Sequence, residues 1–108
     1  MSLDICLRHA EDGEVVFEAN ITHNLGGMAA AADLYRYLWR AEESGVTCVA
    51  DLLAPLEKSI ALMLEDPERF EQLDAPNGWG TYAQFVPWLQ RLLEACKEYP
   101  TATVEVSV

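Results

Sequence analysis

Apolar and polar positions alternate over residues 3–9, LDICLRH, with Leu3, Ile5 and Leu7 on one side and Asp4, Cys6 and Arg8 on the other. A period of two is that of a strand with one buried face. AEDG follows, and Asp12-Gly13 is a pair that tight hairpins favour. EVVFEANIT then alternates again, with Val15, Phe17, Ala19 and Ile21 sharing a face, which predicts an antiparallel hairpin. From Leu25 the period lengthens. Leu25, Met28, Ala32, Tyr35, Leu38 and Trp39 recur at helical spacing and predict one helix, ended by Gly45 as a left-handed cap.

Thr47 is expected to cap a second helix, whose inward stripe is Val49, Leu52, Leu53, Leu56, Ile60, Met63 and Leu64. Pro55 lies in that stripe and removes a backbone donor, so a kink or break is expected near residues 53–55. Asp66-Pro67-Glu68 restarts a short helix, with Asp66 as its cap and with Phe70 and Leu73 buried. DAPNGWG reads as a loop. Thr81 and Gln84 then form a capping box before a last helix that turns Tyr82, Phe85, Val86, Leu89, Leu92, Leu93 and Cys96 inward, with Pro87 bending its first turns. Residues 103–108, TVEVSV, return to period two through Val104, Val106 and Val108.

Strands at both termini and helices between them predict an α+β fold. Its three-stranded antiparallel sheet, the N-terminal hairpin plus the C-terminal strand, packs against three to four helices. The last strand pairs either with the first or with the hairpin's other edge. At 108 residues the chain reads as a single globular domain, 1–108, and its 51% apolar content supports a packed interior. No apolar run approaches the ~20 residues of a bilayer span. Met1-Ser2-Leu3 carries no basic, then apolar leader, so a cytoplasmic protein is expected. Cys6, Cys48 and Cys96 form no CxxC pair; small buried hydrophobes are expected, not a disulfide scaffold or a zinc site.

Charge adds the strongest global signal. Eighteen acidic residues against seven basic ones give a net charge of −11. Nucleic acids and anionic membranes repel such a chain, whereas basic protein surfaces attract it. Solubility alone explains acidity in many proteins, so the placement of the acids matters. They cluster as Glu11, Asp12 and Glu14 at the hairpin turn, as Glu42 and Glu43 at the end of the first helix, and as Glu65, Asp66, Glu68, Glu71 and Asp74 at the next junction. A solvated face is the plain interpretation. Clusters sharing one side would instead space negative charge as phosphates do.

Candidate chemistry is sparse. There is no GxGxxG, P-loop or nucleophile-elbow motif. His9 and His23 each follow a strand and, with Asp4 or Glu18, are the conceivable metal ligands. Two histidines without a recognised spacing leave the expected metal and cofactor as none. In NITHNLGG, Asn24 is expected to cap the helix by accepting from Gly26 and Gly27, with His23 bonded to a nearby carbonyl or carboxylate. Trp79, between Gly78 and Gly80, either projects as a binding hot spot or, as expected here, plugs the seam between sheet and helices. A pocket built from His23, Asn24 and Trp79 is the alternative site.

The motifs NITHNL, LWRAEE, NGWGTY, LEACKEYP and the closing VxVS resemble a family of small, mostly uncharacterised proteins of phages, prophages and bacteria. This chain departs from it at Ala41, where relatives carry proline, and at Val108, where they carry arginine. The resemblance spans residue 20 onward, brings no catalytic residues, and implies a phage or mobile-element setting. Small acidic phage proteins, anti-CRISPR proteins among them, occlude basic nucleic-acid channels of host defence complexes. The expected function is therefore a non-enzymatic inhibitor of that kind, monomeric or a small homo-oligomer. It would dock its acids on a basic protein surface and bind neither nucleic acid nor membrane. A small enzyme or ligand-binding domain using His23, Asn24 and Trp79 is the alternative.

Overall fold

The alternation of residues 3–7 decides the inner face of the sheet. A computed structural model describes residues 2–108; Met1, taken above as the start, lies outside them. Strands β1 (Ser2–Arg8), β2 (Val15–Thr22) and β3 (Thr103–Ser107) form an antiparallel sheet in the order β2-β1-β3. The last strand thus takes the free side of the first. Directly opposed residues share a face. Leu3, Ile5 and Leu7 accordingly meet Ile21, Ala19 and Phe17 of β2, while Ile5 and Leu7 also meet Val106 and Val104 of β3. The central strand's three residues are fully buried and their partners less so.

Two hairpin expectations are corrected. The register shifts between Leu7 and Arg8, which pairs with Val15, and this irregularity leaves Val15 exposed rather than on the shared face. The turn is also longer than two residues. His9 N–H donates to the Glu14 carbonyl at 2.8 Å, Gly13 N–H donates to the His9 carbonyl at 2.9 Å, and Gly13 takes φ +73°.

The first long helix is in fact two, α1 (Gly26–Ala31) and α2 (Tyr35–Leu38), preceded by a 3-10 turn at His23–Leu25. Asp33 adopts φ +57°, with Leu34 N–H donating to Ala29 O at 2.8 Å and Asp33 N–H to Ala30 O at 3.1 Å. This paired closure is a left-handed helix end, built on one of the few L residues that tolerate it. Apolar spacing runs through the break because Leu34 beside it is also buried. A similar closure lies at Gly45, where Val46 N–H donates to Ala41 O at 2.9 Å, but it ends a run of turns over 39–45: α2 itself stops at Leu38, short of the expected helix end.

Helices α3 (Val49–Glu65) and α5 (Tyr82–Glu98) run unbroken through Pro55 and Pro87, so of the kink or break expected near residues 53–55 the break is absent. Each proline removes one backbone donor, and the surrounding packing of the helix stripe outweighs that loss. The cap of α3 is also reassigned. The Asp51 carboxylate accepts from Thr47 N–H at 3.1 Å and from Cys48 N–H at 3.3 Å, so Asp51, not the Thr47 side chain, closes that end. Those backbone and thiol donors hold its carboxyl below the ordinary carboxylate value. A lowered folded pKa means stabilisation present above the unfolded value of about 4 and lost as pH falls through the folded one. Asp51→Asn should therefore flatten the acid limb of a melting-temperature profile taken between about pH 2 and 5. An unchanged limb would remove Asp51 from that role.

Helix α4 (Pro67–Glu71) buries Phe70 completely, but Leu73 is 44% exposed, contrary to expectation. Asp66 occupies the cap position without a side-chain capping bond. The Thr81–Gln84 capping box forms as expected, with Thr81 Oγ1 accepting at 3.3 Å and Gln84 Oε1 at 3.1 Å. One contiguous core joins the inner sheet face to the stripes of α3 and α5, except that Leu64, expected inward, is 52% exposed at the end of α3. Trp88, which the stripe did not include, is buried, and its indole donates to Asn20 O at 3.0 Å, pinning α5 to β2. Of the cysteines only Cys96 is buried, and burial pushes its thiol up to about 11. Cys6 lies on the outer sheet face opposite Glu18 and Glu105, and Cys48 at the mouth of α3; both are half-exposed. No helix is long and apolar enough to cross a membrane among the described residues.

Candidate functional site

The β2 strand runs directly into the 3-10 turn, and Thr22 Oγ1 accepts from Asn24 N–H at 3.2 Å. Thr22 is thus the cap, not Asn24. The Asn24 amide is committed elsewhere, its Nδ2 donating to the Trp79 carbonyl at 2.7 Å. Gly80 makes this approach possible. It adopts φ +119°, and a Cβ there would lie 3.0 Å from Asn24 Cβ and 3.3 Å from Thr22 Cγ2.

The loop before α5 is held at every turn. Ala75 N–H donates to Gly80 O at 3.0 Å, Trp79 N–H to Asn77 Oδ1 at 3.0 Å, and Gly80 N–H to Gln84 Oε1 at 3.1 Å. Its backbone packs on the turn while the indole of Trp79 points away, 71% exposed. The expected buried plug is therefore a projecting side chain on a fixed support. Trp79, His23 and Asn24 do line one shallow cavity of about 400 Å³, whose other walls include Asn20, Thr22 and Asn77. A second cavity, about 440 Å³, shares Asn24 and Asn77 with the first and is also lined by Leu73, Asp74 and Pro76.

The acids separate into two ends. Asp74 Oδ1 accepts from Tyr82 N–H at 2.7 Å at the start of α5, whereas the Tyr99 ring at its finish meets His9 at 6.0 Å. Seventeen helical residues span about 25 Å. Glu11, Asp12 and Glu14 at the hairpin turn, all exposed, therefore lie at the opposite end from Glu65, Asp66, Glu68 and Glu71, also exposed. Glu42 and Glu43 line a cavity that His23 also lines, which puts them at the Trp79 end. Glu43 pairs with Arg40 at 3.2 Å. Asp74 is half-buried and serves as a helix cap. The antiparallel pairing of Ser2 with Thr22 and of Arg8 with Val15 likewise sets His9 and His23 at opposite ends of the sheet, excluding the shared metal site. No three His, Cys, Asp or Glu residues are grouped to hold a metal among the described residues.

His23 departs from expectation. Its Nε2 is buried without a hydrogen-bond partner, and so is Nε1 of Trp39; these are the buried side-chain polar atoms left unpaired among the described residues. The two rings meet edge-on, centroids 6.4 Å apart, and Tyr35 stacks on Trp39 at 5.5 Å. Helical spacing marks Trp39 as core, which it is, and carries no signal of an unpaired nitrogen. Asn77 and Gln84, which fix the Trp79 loop, sit in recognisable turn and capping motifs whose joint effect appears only in three dimensions. No protein-family model, curated protein or solved structure matches this chain.

Proposed function

We propose that this protein is a non-enzymatic interaction protein whose acidic, Trp79-bearing end docks on a basic nucleic-acid-binding protein surface and blocks nucleic-acid binding there. The observation that carries it is a rigidly supported, exposed Trp79 on a loop whose start, Leu73 and Asp74, adjoins the acids of residues 65–71. An aromatic anchor whose backbone is already ordered loses little freedom on binding, and surrounding acids steer it to a positive partner. The indole face also suits an arginine or lysine of that partner. Its resemblance in motifs to phage and prophage proteins supports a narrower version, an anti-CRISPR-like inhibitor of a host defence complex acting in the host cytoplasm.

Purified CRISPR effector complexes, assayed for DNA binding with and without the protein at about 50 and 200 mM salt, test it. Inhibition should weaken at the higher salt. The triple variant Glu65→Lys, Glu68→Lys, Glu71→Lys should lose most of it, Asp74 being spared because it caps α5. Inhibition untouched by the triple variant would refute docking through this end. A cavity lined by His23, Asn24 and Trp79 supports a second role as a small-ligand site.

A further inference from the structure

No carboxylate, ammonium or guanidinium lines the cavity of about 400 Å³ beside Trp79, in a chain of net charge −11. Its neighbours differ: Glu42 and Glu43 line one, and Asp74 another. The polar walls are instead three amides, Asn20, Asn24 and Asn77, and two hydroxyls, Ser2 and Thr22. The three asparagines and Trp79 are all exposed, so these side chains open to solvent. We propose that this cavity binds a neutral pyranose, one C–H face of the sugar stacked on the Trp79 indole and its hydroxyls bonded to the surrounding amides. This rests on the small-ligand role given above to the cavity, and names the class of ligand.

Two of the amides are bonded to the backbone of the residue whose indole projects. Asn24 Nδ2 donates to the Trp79 carbonyl at 2.7 Å, and Asn77 Oδ1 accepts from Trp79 N–H at 3.0 Å. The third, Asn20, donates through Nδ2 to Ser2 Oγ at 2.7 Å and to Asp4 Oδ1 at 2.6 Å. One end of each amide is therefore fixed. The other ends, Oδ1 of Asn20 and Asn24 as acceptors and Nδ2 of Asn77 as a donor, have no partner among the described residues. An aromatic platform with donors and acceptors beside it is thus ordered before any ligand arrives.

Charge narrows the ligand. An anion would find no cation in the wall and would meet the repulsion of the whole chain. A small organic cation would find no carboxylate there, and several in the adjoining cavities. An apolar body would strip water from the amides and return no hydrogen bond. A hydroxyl both donates and accepts, so a ring of them satisfies a mixed set of donors and acceptors in any order. The C–H hydrogens on a pyranose face carry slight positive charge and suit the negative face of the indole. A nucleobase also stacks, but its donors and acceptors have a fixed order and it favours cover on both faces. The one other ring in the wall, His23, is turned edge-on to Trp39. The volume lies in the range of small-molecule sites.

Methyl glycosides of glucose, galactose and mannose, each paired with its charged uronide, are the probes, titrated at neutral pH into ¹⁵N-labelled protein. The indole N–H of Trp79 and the side-chain amides of Asn24 and Asn77 are the readout. At least one glycoside should move all three signals saturably, and its uronide should bind about tenfold more weakly. Trp79→Phe, which keeps a π face, should retain binding to within about tenfold, whereas Trp79→Leu, apolar but without one, should abolish the amide shifts. Equal binding of glycoside and uronide, or Trp79→Leu binding as well as Trp79→Phe, would overturn the proposal. Shifts from adenosine or uridine with none from the glycosides would overturn the saccharide and leave the small-ligand role standing; silence from every probe would end both.

Discussion

Trp79→Ala is expected to weaken binding to the basic partner by about thirtyfold or more, while the melting temperature moves by no more than about 2 °C. Thirtyfold corresponds to about 2 kcal/mol, the threshold of an interface hot spot. The two effects separate because the loop is held by its backbone. Trp79 N–H donates to Asn77 Oδ1 and its carbonyl accepts from Asn24, and alanine retains both bonds. The indole, 71% exposed, contributes little to the folded core. Affinity titrations against the effector complex and thermal melts of both forms decide the matter. Unchanged affinity would remove Trp79 as the anchor and leave the acids as a purely electrostatic surface. A large fall in melting temperature would instead make the indole a structural group.

Gly80→Ala should lower the melting temperature by about 10 °C and reduce binding as well. An L residue held at φ +119° is strained by about 1–3 kcal/mol, and a domain of this size loses about 4–8 °C per kcal/mol. The added Cβ would also press on Asn24 Cβ at 3.0 Å, and the nearest groups, Thr22 and Leu25, are fixed at the start of the 3-10 turn. Relief comes only by moving the loop off Asn24, which releases the Trp79 carbonyl. Two further glycines separate the causes. Gly78→Ala meets nothing within 4 Å but keeps φ +76°, so it should show the backbone strain alone. Gly27→Ala has neither positive φ nor a close neighbour and, inside α1, should be neutral or slightly stabilising. A Gly80→Ala protein as stable as Gly27→Ala would show that the loop has an easy alternative path.

Together these variants tie presentation of the tryptophan to its support. Asn24, Asn77, Gly80 and Gln84 hold the backbone, and none of them carries the contact with a partner in the proposed complex. Binding that falls with Gly80→Ala in proportion to Trp79→Ala would mark the support as the source of pre-organisation.

Periodicity alone determined the sheet's inner face, the two long helices and the Thr81–Gln84 cap, because each depends on residues close in sequence. Leu3, Ile5 and Leu7 could serve only one face, and β1 became the central strand once Val104 and Val106 supplied a second apolar row. Local pattern could not see the break at Asp33, since Leu34 is buried beside it and the stripe continues across. Nor could it weigh Pro55, whose missing donor is a local loss outweighed by packing spread along all of α3. The candidate site was legible only as residue types. THN and NGWG stood out in the sequence, yet Asn24 read as a cap and Trp79 as a plug, because fifty-five residues separate the two groups that bond each other. Net charge was fixed by composition, but its division between two ends of α5 was not. Tertiary structure alone decided which nitrogens went unpaired, since an orphan such as Trp39 Nε1 is defined by the absence of a neighbour that no local pattern records.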